Sequence, residues 1–117
     1  MKEYLLVAKG SRAIWDEMSE EDWKPVMDGF GAWIGEMSRK NLWIRGDRLS
    51  PKRTDIRKNS GNQVAITDGP FTETKEALSG YFVFRAENMG HAVELAKGCP
   101  ALLHDKLELY EMEGDRE

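Results

Sequence analysis

The segment Tyr81-Phe82-Val83-Phe84-Arg85 gives the clearest indication of the fold. It predicts a β-strand with large apolar side chains on both faces, because successive side chains point to opposite sides of a sheet. Phe82 and Phe84 share one face, whereas Tyr81 and Val83 share the other. Helices of the same chain cover one face only. The other face then stays partly apolar, which is unusual for a soluble monomer.

A long amphipathic helix is predicted before this strand, because apolar residues between positions 23 and 37 recur at steps of three and four. Ser19 and Asp22 are the candidate caps of this helix. Pro25 favours Asp22, since the proline then lies in the first turn, where its missing N–H does no harm. A second helix begins after Asn88 and ends at Gly98.

The remaining pattern predicts short strands and connecting segments. The strands cover residues 4–8, 42–44, 63–67 and 106–112, one helical turn covers 72–78, and an exposed loop or hairpin arm covers 48–62. The resulting order β-α-β-β-β-α-β predicts an α+β domain of two split β-α-β units, with an antiparallel sheet and two main helices on one face. We expect residues 1–113 to form this single domain, residues 114–117 to fray, and a second copy to cover the open sheet face as a homodimer.

Composition narrows the class of protein. The chain has 117 residues and a net charge of −4, with acidic and basic residues mixed along it, so we expect no nucleic-acid partner. The N-terminal apolar run is too short for a signal peptide or a membrane span, so we expect no membrane partner. The single cysteine, Cys99, rules out an internal disulfide and favours a buried small residue in a cytoplasmic protein.

The segment Asp68-Gly69-Pro70-Phe71-Thr72-Glu73-Thr74-Lys75-Glu76 resembles the signature of the YCII-related family, in its DGPF subgroup. Weaker matches run in order along nearly the whole chain, at residues 4–6, 46, 49–51, 80–82, 92–100 and 107–109. The resemblance implies a ferredoxin-like fold that assembles as a dimeric α+β barrel, which agrees with the pattern described above.

The same resemblance implies less about function. Some YCII-like proteins are enzymes, including a dehydrochlorinase that acts on a chlorinated hydroxyhydroquinone and for which a His–Asp pair is the suggested acid/base centre. This chain contains only His91 and His104, and neither lies on the first helix, where that branch carries its histidine.

The signature itself supplies the first candidate site. Asp68 follows a strand and opens a turn, and Lys75 provides an ammonium group close to it in sequence. A carboxylate in an apolar pocket beside a lysine can move a proton on a small organic substrate, so Asp68 and Lys75 are candidate catalytic residues. Phe71, Glu73 and Tyr81 are candidate ligand-binding residues. The alternatives are that Asp68 only stabilises its turn and that Phe71 packs in the hydrophobic core.

His104 is the third candidate catalytic residue, since an imidazole titrates near neutral pH and Asp105 follows it directly. The alternative is an exposed loop histidine. No His/Cys/Asp/Glu cluster has zinc spacing, so we expect neither a metal nor another cofactor.

Three functions are therefore open. The first is a cofactor-free enzyme that uses acid/base residues near Asp68 on a small organic ligand. The second is a non-catalytic dimeric module that binds a ligand or partner, in which the Asp68 side chain is fully engaged by its own turn. The third and weakest is nucleic-acid binding through the basic segment 48–58.

Overall fold

A computed structural model describes residues 1–68 and 77–114 of the chain. The elements follow one another as β1 (Lys2–Gly10), α1 (Arg12–Asp16), α2 (Glu20–Arg39), β2 (Trp43–Arg48), β3 (Thr54–Lys58), β4 (Val64–Asp68), β5 (Ala77–Ala86), α3 (Met89–Ala96), a 3₁₀ turn (Pro100–Leu103) and β6 (Lys106–Glu111). The chain is thus a mixed α+β protein with antiparallel sheets.

The main sheet has the strand order β2-β5-β1-β6, and every pair in it is antiparallel. Strand β5, one of the two central strands, contains residues 81–85, and from Ser79 onward it alternates between half-buried and buried residues. Phe82 and Phe84 lie on the buried face, against residues of α2 and α3. Tyr81 and Val83 lie on the other face, which no helix of the described residues covers.

The core between sheet and helices is largely aromatic. Tyr4 and Phe84 stack with their ring centroids 6.4 Å apart, and Trp33 of α2 contacts Phe82 edge-on at 5.4 Å. The Trp33 indole N–H donates to the backbone carbonyl of Leu95 at 2.9 Å, so the α2 helix is tied to α3 across the core. These contacts fix the position of both helices on one face of the sheet.

The first long helix begins earlier than the sequence analysis predicted. The Ser19 hydroxyl accepts a hydrogen bond from the Asp22 backbone N–H at 3.1 Å, so Ser19 is the cap and the preference for Asp22 was wrong. Pro25 lies inside the helix, in its second turn. The reason is that Ser19 also precedes an acidic first turn, Glu20-Glu21-Asp22, which the positive end of the helix dipole favours.

Residues 54–68 form a hairpin arm rather than a loop. β3 and β4 pair with each other as a separate two-stranded sheet, so the arm alternative is the correct one. Ala77 and Leu78, expected in a helical turn, begin β5 instead. The rest of that expected turn lies outside the described residues.

Candidate functional site

A buried carboxylate, Asp105, lies between the 3₁₀ turn and β6. It is 6% exposed and is the one charged side chain found buried among residues 1–68 and 77–114. Trp15 of α1 donates its indole N–H to Oδ1 at 2.7 Å, and the Ser79 hydroxyl of β5 lies 2.5 Å from Oδ2. Residues from three separate parts of the chain therefore meet at one carboxyl group.

The Ser79 hydroxyl has two oxygen neighbours for a single proton. Its Oγ lies 2.5 Å from Asp105 Oδ2 and 3.2 Å from the backbone carbonyl of Ala8. When Asp105 is ionised, Ser79 donates to the carboxylate. When Asp105 is protonated, the acid donates to Ser79, which turns and donates to Ala8. Both protonation states of Asp105 thus have a hydrogen-bonding pattern that the surrounding groups can satisfy.

Gly10, the last residue of β1, makes room for this carboxyl group. A Cβ atom placed on Gly10 would overlap Asp105 Oδ1 and would lie 2.8 Å from its Cγ. The backbone of β1 therefore approaches the carboxyl group more closely than any residue with a side chain allows.

A cleft opens beside Asp105, between the sheet and helices α1 and α2. It is open to solvent, and the empty space within it amounts to about 430 Å³ when the adjoining solvent is counted. Four aromatic side chains line it, together with Ser79, Asp105 and two arginines; the aromatic residues are Trp15, Trp23, Phe30 and Phe82. The site is thus apolar with a few convergent polar groups.

The two arginines, Arg12 and Arg48, are the cations of the cleft. The Arg48 guanidinium lies over the Trp23 ring, 4.8 Å from its centroid. Arg12 donates to the Leu49 carbonyl at 2.8 Å, and its Nε is 3.3 Å from Asp16 Oδ1. These contacts hold both guanidinium groups against the cleft.

His104 borders this site through Trp15. The two rings meet edge to face with their centroids 4.9 Å apart, and His104 is exposed. His104 directly precedes Asp105 in sequence, but the Asp105 carboxyl group has Trp15 and Ser79 as its hydrogen-bond partners. The catalytic role of His104 stays a prediction.

Two of the other sequence candidates, Asp68 and Tyr81, lie among the described residues, and neither lines the cleft. Asp68 is exposed at the end of β4, where its Oδ1 accepts a hydrogen bond from the Thr54 hydroxyl at 2.8 Å. Tyr81 lies on the open face of the sheet, beneath the Arg45 guanidinium at 5.7 Å. Three further candidates lie outside the described residues: Phe71, Glu73 and Lys75.

Cys99 is buried, as the sequence analysis predicted, at 2% exposure. Burial, together with the nearby negative charge of Asp105, raises the pKa of its thiol to about 11, although the hydrogen bond to the Ala101 backbone acts in the opposite direction. The thiol is therefore protonated at neutral pH and poorly suited to act as a nucleophile.

Neither a cluster of metal ligands nor a membrane-spanning helix is present in the part of the chain that the structure describes. Within it, no three His, Cys, Asp or Glu residues cluster closely enough to hold a metal ion. Its helices include none with the length and hydropathy needed to cross a bilayer.

Sequence comparison identifies the family. No curated protein matches the chain. The YCII-related domain, however, matches residues 7–113, which includes every element from the middle of β1 to the end of β6. The chain therefore belongs to the YCII-related domain family.

Proposed function

We propose that the chain binds a small aromatic molecule in the cleft beside Asp105 and moves a proton on it without a cofactor. The observation that supports this proposal most is the position of the Ser79 hydroxyl, 2.5 Å from Asp105 Oδ2 and 3.2 Å from the Ala8 carbonyl. A buried polar group that lacks a partner costs free energy, so most buried carboxyl groups tolerate one protonation state. The Ser79 hydroxyl, by contrast, can donate to ionised Asp105 and can accept from protonated Asp105.

The proposed step is a reversible proton transfer. Ionised Asp105 takes a proton from a C–H or O–H group of the ligand, whose electron pair stays on the ligand as an enolate or phenolate. The Ser79 hydroxyl then rotates, so that it accepts a hydrogen bond from protonated Asp105 and donates one to the Ala8 carbonyl. The reverse step returns a proton to the ligand, at the same atom or at another one.

The walls of the cleft suit an aromatic ring that becomes negatively charged. Trp15, Trp23, Phe30 and Phe82 offer apolar and ring contacts to one face or edge of such a ligand. Arg48 lies at the same cleft, where a guanidinium stabilises an anion that forms during the reaction. The proposal moves the acid/base centre from the neighbourhood of Asp68 to Asp105.

The experiment uses a panel of phenol, resorcinol, hydroquinone, benzoate and phenylpyruvate. We expect at least one of them to raise the melting temperature of the protein, and we expect resorcinol or phenylpyruvate to exchange C–H protons with D₂O, followed by proton NMR. Asp105→Asn keeps an acceptor for Trp15 and a donor for Ser79 but cannot take up a proton. Its exchange rate should be about 100-fold or more below that of the wild type.

Asp28→Asn, an exposed substitution on α2, is the matched control and should exchange at the wild-type rate. Exchange that is equally fast in Asp105→Asn and the wild type would contradict the proposal, as would a panel in which no compound binds. Binding without exchange in the wild type would instead support the non-catalytic binding module. One observation favours that module, namely that both Asp105 oxygens already have partners within the fold.

We also propose that the fold is ferredoxin-like and that two copies pair through their open sheet faces, as in the DGPF subgroup. With α1 and the arm set aside, the order β1-α2-β2-β5-α3-β6 and the arrangement β2-β5-β1-β6 support two split β-α-β units. Leu5, Val7, Tyr81 and Val83 form an apolar centre on the open face, since Leu5 pairs with Val83 and Val7 with Tyr81. Sedimentation equilibrium tests this pairing together with the arm variants described below.

A further inference from the structure

The hairpin arm, formed by β3 and β4, lacks the support that such a hairpin needs. The two strands pair with each other and make no extensive contact with any other described element. An isolated two-stranded hairpin is at best marginally stable in water. The radius of gyration is 16.5 Å, whereas a compact chain of this length has one of about 13 Å. The arm therefore extends from the body and exposes both of its faces.

One face of the arm is apolar at its centre. Directly opposed residues in an antiparallel pair share a face, as do residues two apart along a strand. Ile56 opposes Ile66, and Val64 lies beside them opposite Lys58. Their exposed fractions are 68% for Ile56, 65% for Ile66 and 60% for Val64. Three large aliphatic side chains exposed together on one face are typical of a surface that binds another protein surface.

The charges on this face are self-complementary. Lys58 lies at its tip end, and Asp68 lies at its root end opposite Thr54. The two charges are separated by about four residues of strand, roughly 13 Å, so they interact only weakly within one arm. When two such faces meet about a two-fold axis that runs across the strands, the tip of each arm lies over the root of the other, and each Lys58 comes close to the partner's Asp68.

We propose that the arm pairs, through its Ile56 face, with the same face of a second copy of this chain. Ile56 and Ile66 of the two copies form the centre of the contact, and the two Lys58–Asp68 pairs set its direction. A two-fold interface requires a surface that complements itself, and this face has an apolar centre with opposite charges at its two ends. The arm face alone is smaller than a stable interface. It therefore adds to a larger contact, for which the open sheet face is the candidate.

Charge exchange tests whether the pairs form between chains. Lys58→Asp and Asp68→Lys each place like charges together twice in a homodimer, so each variant should dimerise about tenfold more weakly than the wild type at low salt. An equimolar mixture of the two variants restores both pairs in a heterodimer. We expect sedimentation equilibrium to show wild-type affinity for the mixture. Two single variants that associate as well as the wild type, or a mixture no tighter than either, would overturn the proposal.

The apolar centre is tested by Ile66→Asp, with Ala65→Asp on the opposite face of the same strand as the matched control. We expect Ile66→Asp to weaken dimerisation by about tenfold or more, with the melting temperature of the body unchanged, and Ala65→Asp to leave the dimer intact. If Ile66→Asp dimerised as tightly as the wild type, the arm contact would be refuted, whereas the sheet contact would still stand. If the wild-type protein were monomeric at 100 µM, both the arm contact and the sheet contact would be refuted.

The basic residues near the arm provide one further outcome. If Lys58→Asp left dimerisation unchanged but abolished a salt-sensitive mobility shift with a mixed-sequence DNA or RNA oligonucleotide, the arm would be a nucleic-acid contact rather than a contact between copies. That result would overturn the proposal.

Discussion

Replacing Gly10 with Ala is expected to lower the free energy of unfolding by about 3 kcal/mol, because the new methyl group displaces the Asp105 carboxyl group. The methyl would overlap Oδ1 and lie 2.8 Å from Cγ, while the carboxyl group is held by Trp15 and Ser79. Moving it away leaves the buried Trp15 N–H without its partner. Urea unfolding monitored by tryptophan fluorescence measures the loss.

Two further variants isolate the cause of this loss. Gly31→Ala is the matched control, since a Cβ at Gly31 meets no atom within 4 Å and an alanine favours the α2 helix. In the Asp105→Ala background, Gly10→Ala should cost less than about 1 kcal/mol, because the overlapping atoms are gone. Equal costs of Gly10→Ala in the two backgrounds would show that the carboxyl group is not the obstacle.

Replacing Phe84 with Ala is expected to lower the free energy of unfolding by about 4 kcal/mol. Phe84 is completely buried at the centre of the main sheet, stacked on Tyr4 and in edge contact with Trp33. Its removal leaves a cavity, because the rigid rings of Tyr4 and Trp33 on two sides cannot move in to fill the space. Chemical denaturation, or the loss of a cooperative thermal transition, measures the effect.

The matched control is Leu78→Ala on the same strand. Leu78 is 49% exposed, so its truncation should cost less than about 1 kcal/mol. If Phe84→Ala and Leu78→Ala proved equally mild, the aromatic core between sheet and helices would not hold the fold together.

The architecture could be predicted because it depends on local patterns. The alternation of residues 81–85 indicates a strand with two apolar faces. Asn88 indicates the start of α3, because its side-chain oxygen can cap a helix, and in the structure it accepts a hydrogen bond from the His91 N–H. The cap of α2 was missed because two candidates, Ser19 and Asp22, lie three residues apart. Pro25 favoured the wrong one, since a helix tolerates this proline in its second turn.

The strand β3 could not be predicted from periodicity. Both faces of the arm are open, so neither selects for a continuous row of apolar side chains, and Ile56 is the single large apolar residue between Thr54 and Lys58. The pairing of Ile56 with Ile66 depends on a partner ten residues away. That information appears only when the two strands are placed side by side.

The candidate site was the hardest part to predict. Asp105 was noted only as the neighbour of His104, because an aspartate before a strand resembles an ordinary turn residue. Its partners Trp15 and Ser79 are 90 and 26 residues away along the chain, so no spacing connects them. The abundance of tryptophan was the one visible signal, since Trp15 and Trp23 both line the cleft.

Two-dimensional ¹H–¹⁵N NMR of the four indole N–H groups tests most directly whether a small molecule occupies the cleft beside Asp105. Titration with the binding members of the aromatic panel should shift the signals of Trp15 and Trp23, each assigned by a Trp→Phe variant. The Trp33 signal should stay in place, because its N–H is bonded to Leu95 within the core. If the Trp15 and Trp23 signals did not move, or if Trp33 moved as far as they did, the cleft would not be the binding site.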